Sequence, residues 1–277
     1  MKIVRTITED NNLDSFLTSL LFSKKDIFAL KTEKRVCVND IVSTTDKSLF
    51  PNDVVSIDIS KPETSNVKPI DFDLEIVYED EIVLIINKPY GYIVHDDGND
   101  SITVDNFVAG YYKKTGQKHG VYHIHRLDKE TTGCLFYCKE KYLVPFFDQS
   151  IINKDLTRTY LALCSGVIEK KITINKRIGR DRHQSNKYRV SSTGKDAITH
   201  VKPIKQYPDK TLVECYLQTG RTHQIRVHLS SISHPIIGDE LYDGIKAERL
   251  MLHSYSITFL DPIEKKKITV SSNPDFL

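Results

Sequence analysis

Residues 123–133 read His-Ile-His-Arg-Leu-Asp-Lys-Glu-Thr-Thr-Gly, a run dense in groups that can attack, ionise or hold a metal. Asp128 follows an arginine and precedes a Thr-Thr-Gly turn that leads into an apolar segment. A loop between packed elements can hold a carboxylate still and keep it reachable, as a nucleophile or a base requires. Taken alone, an aspartate in a loop is more often a cap or an ion-pair partner. His123 and His125 would share a face of a strand and suggest a metal, but no H-E-x-x-H, no C-x-x-C and no carboxylate at a matching spacing accompanies them. Cys134 and Cys138 suit core packing better than a tetrahedral site. No metal is expected.

Three further segments carry candidate chemistry. Residues 219–229 (TGRTHQIRVHL) read as a turn at Gly220 followed by a helix over 222–231 with Thr222 as its cap. Arg226 lies among Ile225, Val227 and Leu229, so it needs a carboxylate partner, and Asp128 is the natural candidate. Residues 87–95 (NKPYGYIVH) end a strand in a Pro-Gly turn that is not a phosphate loop. Tyr160 sits on an apolar strand, where a tyrosine is usually packing.

The elements that must position these groups are mostly strands. Candidates span 75–78, 82–87, 133–138, 159–164, 171–175, 197–205, 211–218 and 256–259, with helical patterns over 104–114, 143–152 and 222–231. Strands and helices do not alternate one for one, so the fold class expected is α+β. It is a mixed, largely antiparallel sheet flanked by helices over residues 71–277. Residues 1–60 read as a separate small α/β unit: two helices, capped by Asn12 and Ser23, then strands over 35–39 and 54–59. Residues 61–70, polar and bracketed by prolines, read as a linker.

Of 277 residues, 39% are hydrophobic and 27% charged, which excludes wholesale disorder. No apolar run approaches the ~18 residues of a membrane helix, and the N-terminus has no apolar leader. Five cysteines, mostly in apolar surroundings, fit reduced thiols. A cytoplasmic location and no membrane partner are expected. The net charge is only +2, yet residues 151–230 hold sixteen Lys and Arg against six Asp and Glu. The excess is densest over 170–189, including Lys176, Arg177, Arg180 and Arg182. That fits a polyanion-binding surface as well as it fits a solvated face.

Together these residues carry a resemblance. The segments 125–133 (HRLDKETTG), 87–95 and 219–229, with 159–166 (TYLALCSG), 234–242 (HPIIGDELY) and 252–259 (LHSYSITF), look like the RluA family of RNA pseudouridine synthases. The first sixty residues resemble the S4-like RNA-binding module that often precedes this catalytic domain. The family commonly has proline where Asp96 and Asp97 follow His95, and the stretch from Gly238 has one extra residue before Gly244.

The resemblance implies an isomerase that detaches uracil at the C1′–N1 bond of a uridine in RNA, turns it and rejoins it through C5. Asp128 matches the essential aspartate, which attacks C1′ or removes the C2′ proton; the sequence leaves both open. Tyr160 matches a tyrosine that contacts the base or helps remove the C5 proton, and Arg226 the arginine paired with the aspartate. Arg126 matches the residue that helps displace the target base from its stack. RNA contacts are expected from Arg221, His223 and Gln224, from Arg177 and Arg180, and from Lys24, Lys25 and Arg35 of the N-terminal module. The expected partner is RNA, with ribosomal RNA favoured and transfer RNA the alternative, bound by a monomer without a cofactor. A catalytically silent RNA-binding protein would not need Asp128, Tyr160 and Arg226 together. A glycosidase would need two carboxylates flanking the bond, and Glu130 is the only neighbour offered.

Overall fold

The computed structural model describes every residue except 61–64, 97, 99, 100 and 185. The N-terminal part comprises β1 (Lys2–Thr6), β2 (Asn11–Asn12), α1 (Leu13–Ser19), α2 (Lys24–Thr32), β3 (Val36–Val38), β4 (Ile41–Val42), β5 (Ser48–Leu49) and β6 (Val54–Asp58). Asn12 and Ser23 cap the two helices, accepting from the backbone N–H of Ser15 and Asp26. Strands β1, β6, β3 and β4 form an antiparallel sheet in that order. The first strand was not expected. Its alternation is carried by Ile3 alone, since Val4 points outward at 50% exposure.

The larger part begins with β7 (Ile76–Glu79), β8 (Val83–Lys88), α3 (Val104–Lys114), β9 (Tyr122–His123), β10 (Thr132–Cys138), α4 (Val144–Asn153) and β11 (Thr157–Ser165). It continues with β12 (Ile172–Asn175), β13 (Ile178–Arg180), β14 (Tyr188–Val190), β15 (Ile198–Gln206) and β16 (Lys210–Leu217). Helix α5 (Gln224–Ser230), β17 (Leu252–Leu260) and β18 (Lys267–Ser271) complete it. The main sheet runs β12-β15-β16-β11-β17-β10-β8-β7, with β18 on β17 and β9 on β10. Among the described residues β10–β17 is the one parallel strand pair of this sheet, so the mixed, largely antiparallel α+β sheet is as expected.

Strand β10 is buried along its whole length because both sheet faces are covered. Its Cys134, Phe136 and Cys138 join an apolar core on one face, and Leu135 and Tyr137 join a second core on the other. The first core runs on into Leu17, Val55 and Ile57 of the N-terminal part, where Phe22 meets Tyr142 edge-on at 6.1 Å. The expected linker 61–70 falls partly on the undescribed residues 61–64. Its other end is anchored: Ile70 donates to the Asn106 carbonyl of α3, and Asn106 Nδ2 to the Lys68 carbonyl. Among the described residues no helix is long and apolar enough to cross a membrane.

One row across the sheet positions the chemistry. Lys88 of β8 faces Gly133 of β10, Gly133 faces Ser254 of β17, and Ser254 faces Tyr160 of β11. Gly133 has φ 108°, and a Cβ there would lie 2.3 Å from the Ser254 carbonyl oxygen. Only glycine lets β10 enter beside β17 at this point. The loop carrying Asp128 therefore emerges beside Tyr160.

Candidate active site

A cleft of about 710 Å³ opens at this row. Its walls include His95, Arg126, Asp128, Arg158, Tyr160 and Arg221. The cavity lies within the size range that encloses a small ligand or one extruded nucleotide.

The Asp128 loop is held from beneath by the turn that ends β8. Lys88, with no exposed surface, donates from Nζ to the carbonyls of Pro89 (2.9 Å), Lys129 (3.1 Å) and Thr131 (2.9 Å). Gly91 N–H adds a second bond to the Lys129 carbonyl, and Thr131 N–H closes a turn on the Asp128 carbonyl. Burial pushes the Lys88 ammonium down to about 7, while the charge of Asp128 pulls it up. The sequence marked this segment as a turn and gave Lys88 no role.

Replacing Lys88 by methionine would leave the Pro89 and Thr131 carbonyls without this donor and the Lys129 carbonyl with Gly91 N–H alone, each lost bond worth ~1–3 kcal/mol. We expect a loss of about 3–5 kcal/mol of stability, with roughly 10²-fold lower turnover as the loop loosens. The sign of the pH dependence follows from the depressed ammonium. Between about 7 and the ~10.4 of a free lysine, the unfolded chain holds more protons, so wild-type stability gains with rising pH. Denaturant melts at pH 7 and pH 9 should show the gap between wild type and Lys88→Met widening at pH 9. An unchanged gap would contradict the assignment.

Arg226 approaches Asp128, with Nη1 3.8 Å from Oδ2, but Asp128 is not its principal partner. Its Nε and Nη2 donate to the two oxygens of Asp239 at 2.8 and 2.7 Å, and Nη2 lies 3.2 Å from Glu130. The Asp239 side chain has no exposed surface and that of Arg226 is 4% exposed. Burial works against the arginine's charge, but the bonds to Asp239 and the charges of Asp239, Asp128 and Glu130 outweigh it and raise its pKa. Asp239 thus anchors the guanidinium and leaves one edge of it turned to Asp128. The expected Arg226–Asp128 contact is present but secondary to Asp239; fork geometry favours the carboxylate that can be gripped by two nitrogens at once.

His223 adds a second contact to Asp128, with Nε2 3.9 Å from Oδ2. It begins α5 in the left-handed conformation, φ 55°, in place of the expected Thr222 cap. The Tyr242 hydroxyl accepts the Tyr188 N–H at 2.9 Å and lies 2.8 Å from His223 Nδ1. The two bonds fix the orientation of the imidazole, whichever ring nitrogen carries the proton, and keep Nε2 towards Asp128. Burial lowers the His223 pKa, keeping the ring neutral.

Tyr160 is 5% exposed and lines the cleft from β11. Burial raises its pKa, offset in part by Arg158. Arg126 is exposed between buried His125 and Leu127, and its Nη1 lies 3.3 Å from His95 Nε2. His123 stacks on His95 at 5.1 Å and bonds Asp105, while His125 is buried and accepts the Phe136 N–H. Their ring nitrogens are thus directed to different neighbours.

Other expected contacts are redistributed. Gln224 is 2% exposed and internally engaged: its oxygen accepts from Thr219 and the Arg221 N–H, and its nitrogen donates to Ile198 and Thr199. It shapes the turn into α5 and is not an RNA contact. Arg35 is turned inward onto Glu33, Asp58 and the Ser60 carbonyl, and so is not a free phosphate ligand. Lys24 and Lys25 stand exposed on α2. Arg177 is paired with Asp196 at 2.8 Å, and Lys176 is tied to Ser231. Arg180 and Arg221 face a common cavity beside the cleft. Arg158 and Asp239 were missed, although Asp239 lies inside a segment already singled out.

The comparisons with known proteins agree with this geometry. Residues 82–231 match the family model described as RNA pseudouridylate synthase. The uncharacterized RNA pseudouridine synthase YhcT of Bacillus subtilis is 38% identical over 92% of this chain and 86% of its own length. Ribosomal large subunit pseudouridine synthase D of Escherichia coli K12 is 33% identical over 88% of this chain and 77% of its own. The solved structure of human RNA Pseudouridylate Synthase Domain Containing 1 superposes with a TM-score of 0.63 at 26% identity, covering 74% of this chain and 85% of the human one.

Proposed function

The chain belongs to the RNA pseudouridylate synthase family, an isomerase acting on RNA, and from that premise we propose that it modifies ribosomal RNA with Asp128 as its reacting group. The observation that carries the reading is that Asp128 and Tyr160 line both the cleft and a small recess of about 70 Å³ into which Arg226 also faces, 3.8 Å from Asp128. Relatives named for the large ribosomal subunit favour ribosomal over transfer RNA.

In this reading a uridine leaves its stack and enters the cleft, at a cost of a few kcal/mol of unstacking. Arg126, exposed at the rim, fills the space the base vacates. Asp128 then attacks C1′ or takes the C2′ proton, and either step breaks the C1′–N1 bond and frees uracil from the sugar. Arg226 and His223 steady the carboxylate without gripping it, at 3.8 and 3.9 Å. Tyr160, its phenol kept protonated by burial, suits contact with the uracil ring better than removal of the C5 proton. The freed ring turns within the cleft and C5 bonds to C1′ as the Asp128 ester leaves, or as C2′ takes back its proton from Asp128; the C5 proton is then lost and N1 gains one.

Arg126→Ala should lower turnover about tenfold or more while leaving the salt dependence of RNA binding nearly intact, because it opens the stack and does not neutralise phosphate. Single-turnover tritium release and filter binding at several salt concentrations read the two effects; a flattened salt slope with normal turnover would place Arg126 on the backbone. The RNA itself is identified by mapping carbodiimide-modified pseudouridines in cells with and without the gene. Loss of a signal confined to transfer RNA would overturn the ribosomal assignment.

A further inference from the structure

A second cavity, of about 440 Å³, adjoins the catalytic cleft and shares Gly220, Arg221 and Thr222 with it as a common rim. Its far wall is the β13–β14 hairpin, closed by a reciprocal pair of backbone bonds between Ile178 and Lys195. Arg180, Lys195 and Arg221 line it, all three exposed, and the Tyr188 ring forms part of the lining. The acids nearest in the chain are already engaged. Asp196 takes Arg177 on its carboxylate and Arg221 Nε on its carbonyl, and Asp181 accepts two backbone N–H groups and faces Arg189 at 3.6 Å. These contacts hold both carboxyls below their ordinary range. The cavity is therefore a concave, cationic surface contiguous with the reacting centre.

Gly220 supplies an independent observation. Its φ is not in the left-handed region, and a Cβ built on it would meet nothing within 4 Å. Neither backbone strain nor packing requires a glycine there. The residue stands on the ridge between the two cavities, so what its bareness provides is clearance for something crossing from one to the other.

We propose that this cavity is a subsite for the RNA backbone next to the target uridine: the strand crosses Gly220, and its flanking phosphodiester is received by Arg180, Lys195 and Arg221. The proposal rests on the reading of the cleft as the uridine site. Tyr188 ties the subsite to the chemistry, since its ring meets His223 edge-on at 5.7 Å and His223 faces Asp128. Filling the subsite would hold the hairpin against the group that steadies the carboxylate.

The test uses the full chain and a transcript of large-subunit ribosomal RNA carrying [5-³H]uridine. The Arg180→Ala/Lys195→Ala double variant should raise KM about tenfold with kcat within twofold, and reduce the slope of log affinity against log salt by about one phosphate's worth, roughly 0.7–0.9. Gly220→Val should raise KM by a similar factor with the salt slope unchanged, because the cations remain, and should melt as wild type does. Gly220→Ala should lie between. Wild-type KM and salt slope in the double variant would overturn the proposal, as would a silent Gly220→Val. Absence of tritium release by wild type would instead overturn the reading of the cleft on this RNA. Filter retention of the same transcript by the variants would then still decide the subsite through its salt slope.

Discussion

Asp128→Asn is expected to abolish pseudouridine formation, by more than roughly 10⁴-fold, while the protein folds and binds RNA as before. Asparagine keeps the size of the side chain but can neither attack C1′ nor take a proton. The fold should tolerate the change because Asp128 is only loosely paired, at 3.8 Å from Arg226 and 3.9 Å from His223. Arg226 keeps its two bonds to Asp239, so no buried charge is stranded. The backbone of the loop stays fixed by Lys88 through the carbonyls of Lys129 and Thr131, neither of which involves the Asp128 side chain. Single-turnover tritium release, filter binding and thermal melts on one preparation separate these effects. Turnover within tenfold of wild type would remove Asp128 from the chemistry.

Asp239→Ala should damage stability and catalysis together. It would leave Arg226, 4% exposed, without the carboxylate that grips it by two nitrogens. Breaking such a buried pair from one side costs about 3–5 kcal/mol. The freed guanidinium would turn fully onto Asp128 and Glu130, and a tightly paired Asp128 is a poorer nucleophile and base, so turnover should fall as well. A second variant separates the two losses. Arg226→Met combined with Asp239→Leu replaces the pair by apolar groups and should regain most of the stability, as buried pairs replaced whole often do. It should remain inactive, because nothing then steadies Asp128 from that side. Restored activity in the double variant would show that Arg226 serves the fold alone.

The sheet was legible where strands are apolar on both faces. Strands β8, β10, β11 and β16 stand out as runs of Val, Ile, Leu and Cys, and the structure shifts their ends by a residue or two. Strands β1, β13, β14 and β18 were not visible. Strands β13 and β14 are three residues long and β1 carries the outward apolar Val4, while β18 alternates but is only five residues long and, among the described residues, pairs with β17 alone. The site was legible as a set of motifs and much less so as a set of contacts. Arg226 was expected to need a carboxylate, but choosing Asp239 over Asp128 depends on how the segment after α5 folds back, which is tertiary information. Gln224 and Arg35 were misplaced for one reason: a polar side chain reads as outward until the fold supplies buried partners for it. Lys88 went unassigned because the two carbonyls it holds in a loop 41 and 43 residues away are invisible in the chain around it.

The central claim is that this chain rearranges uridine through Asp128, and nucleoside analysis of treated RNA tests it most directly. Large-subunit ribosomal RNA transcript is incubated with purified wild type or Asp128→Asn, then digested, and uridine, pseudouridine and free uracil are quantified. Wild type should convert uridine into an equal amount of pseudouridine with no free uracil, and Asp128→Asn should form none. Free uracil from the wild type, or pseudouridine formed equally by the variant, would contradict it.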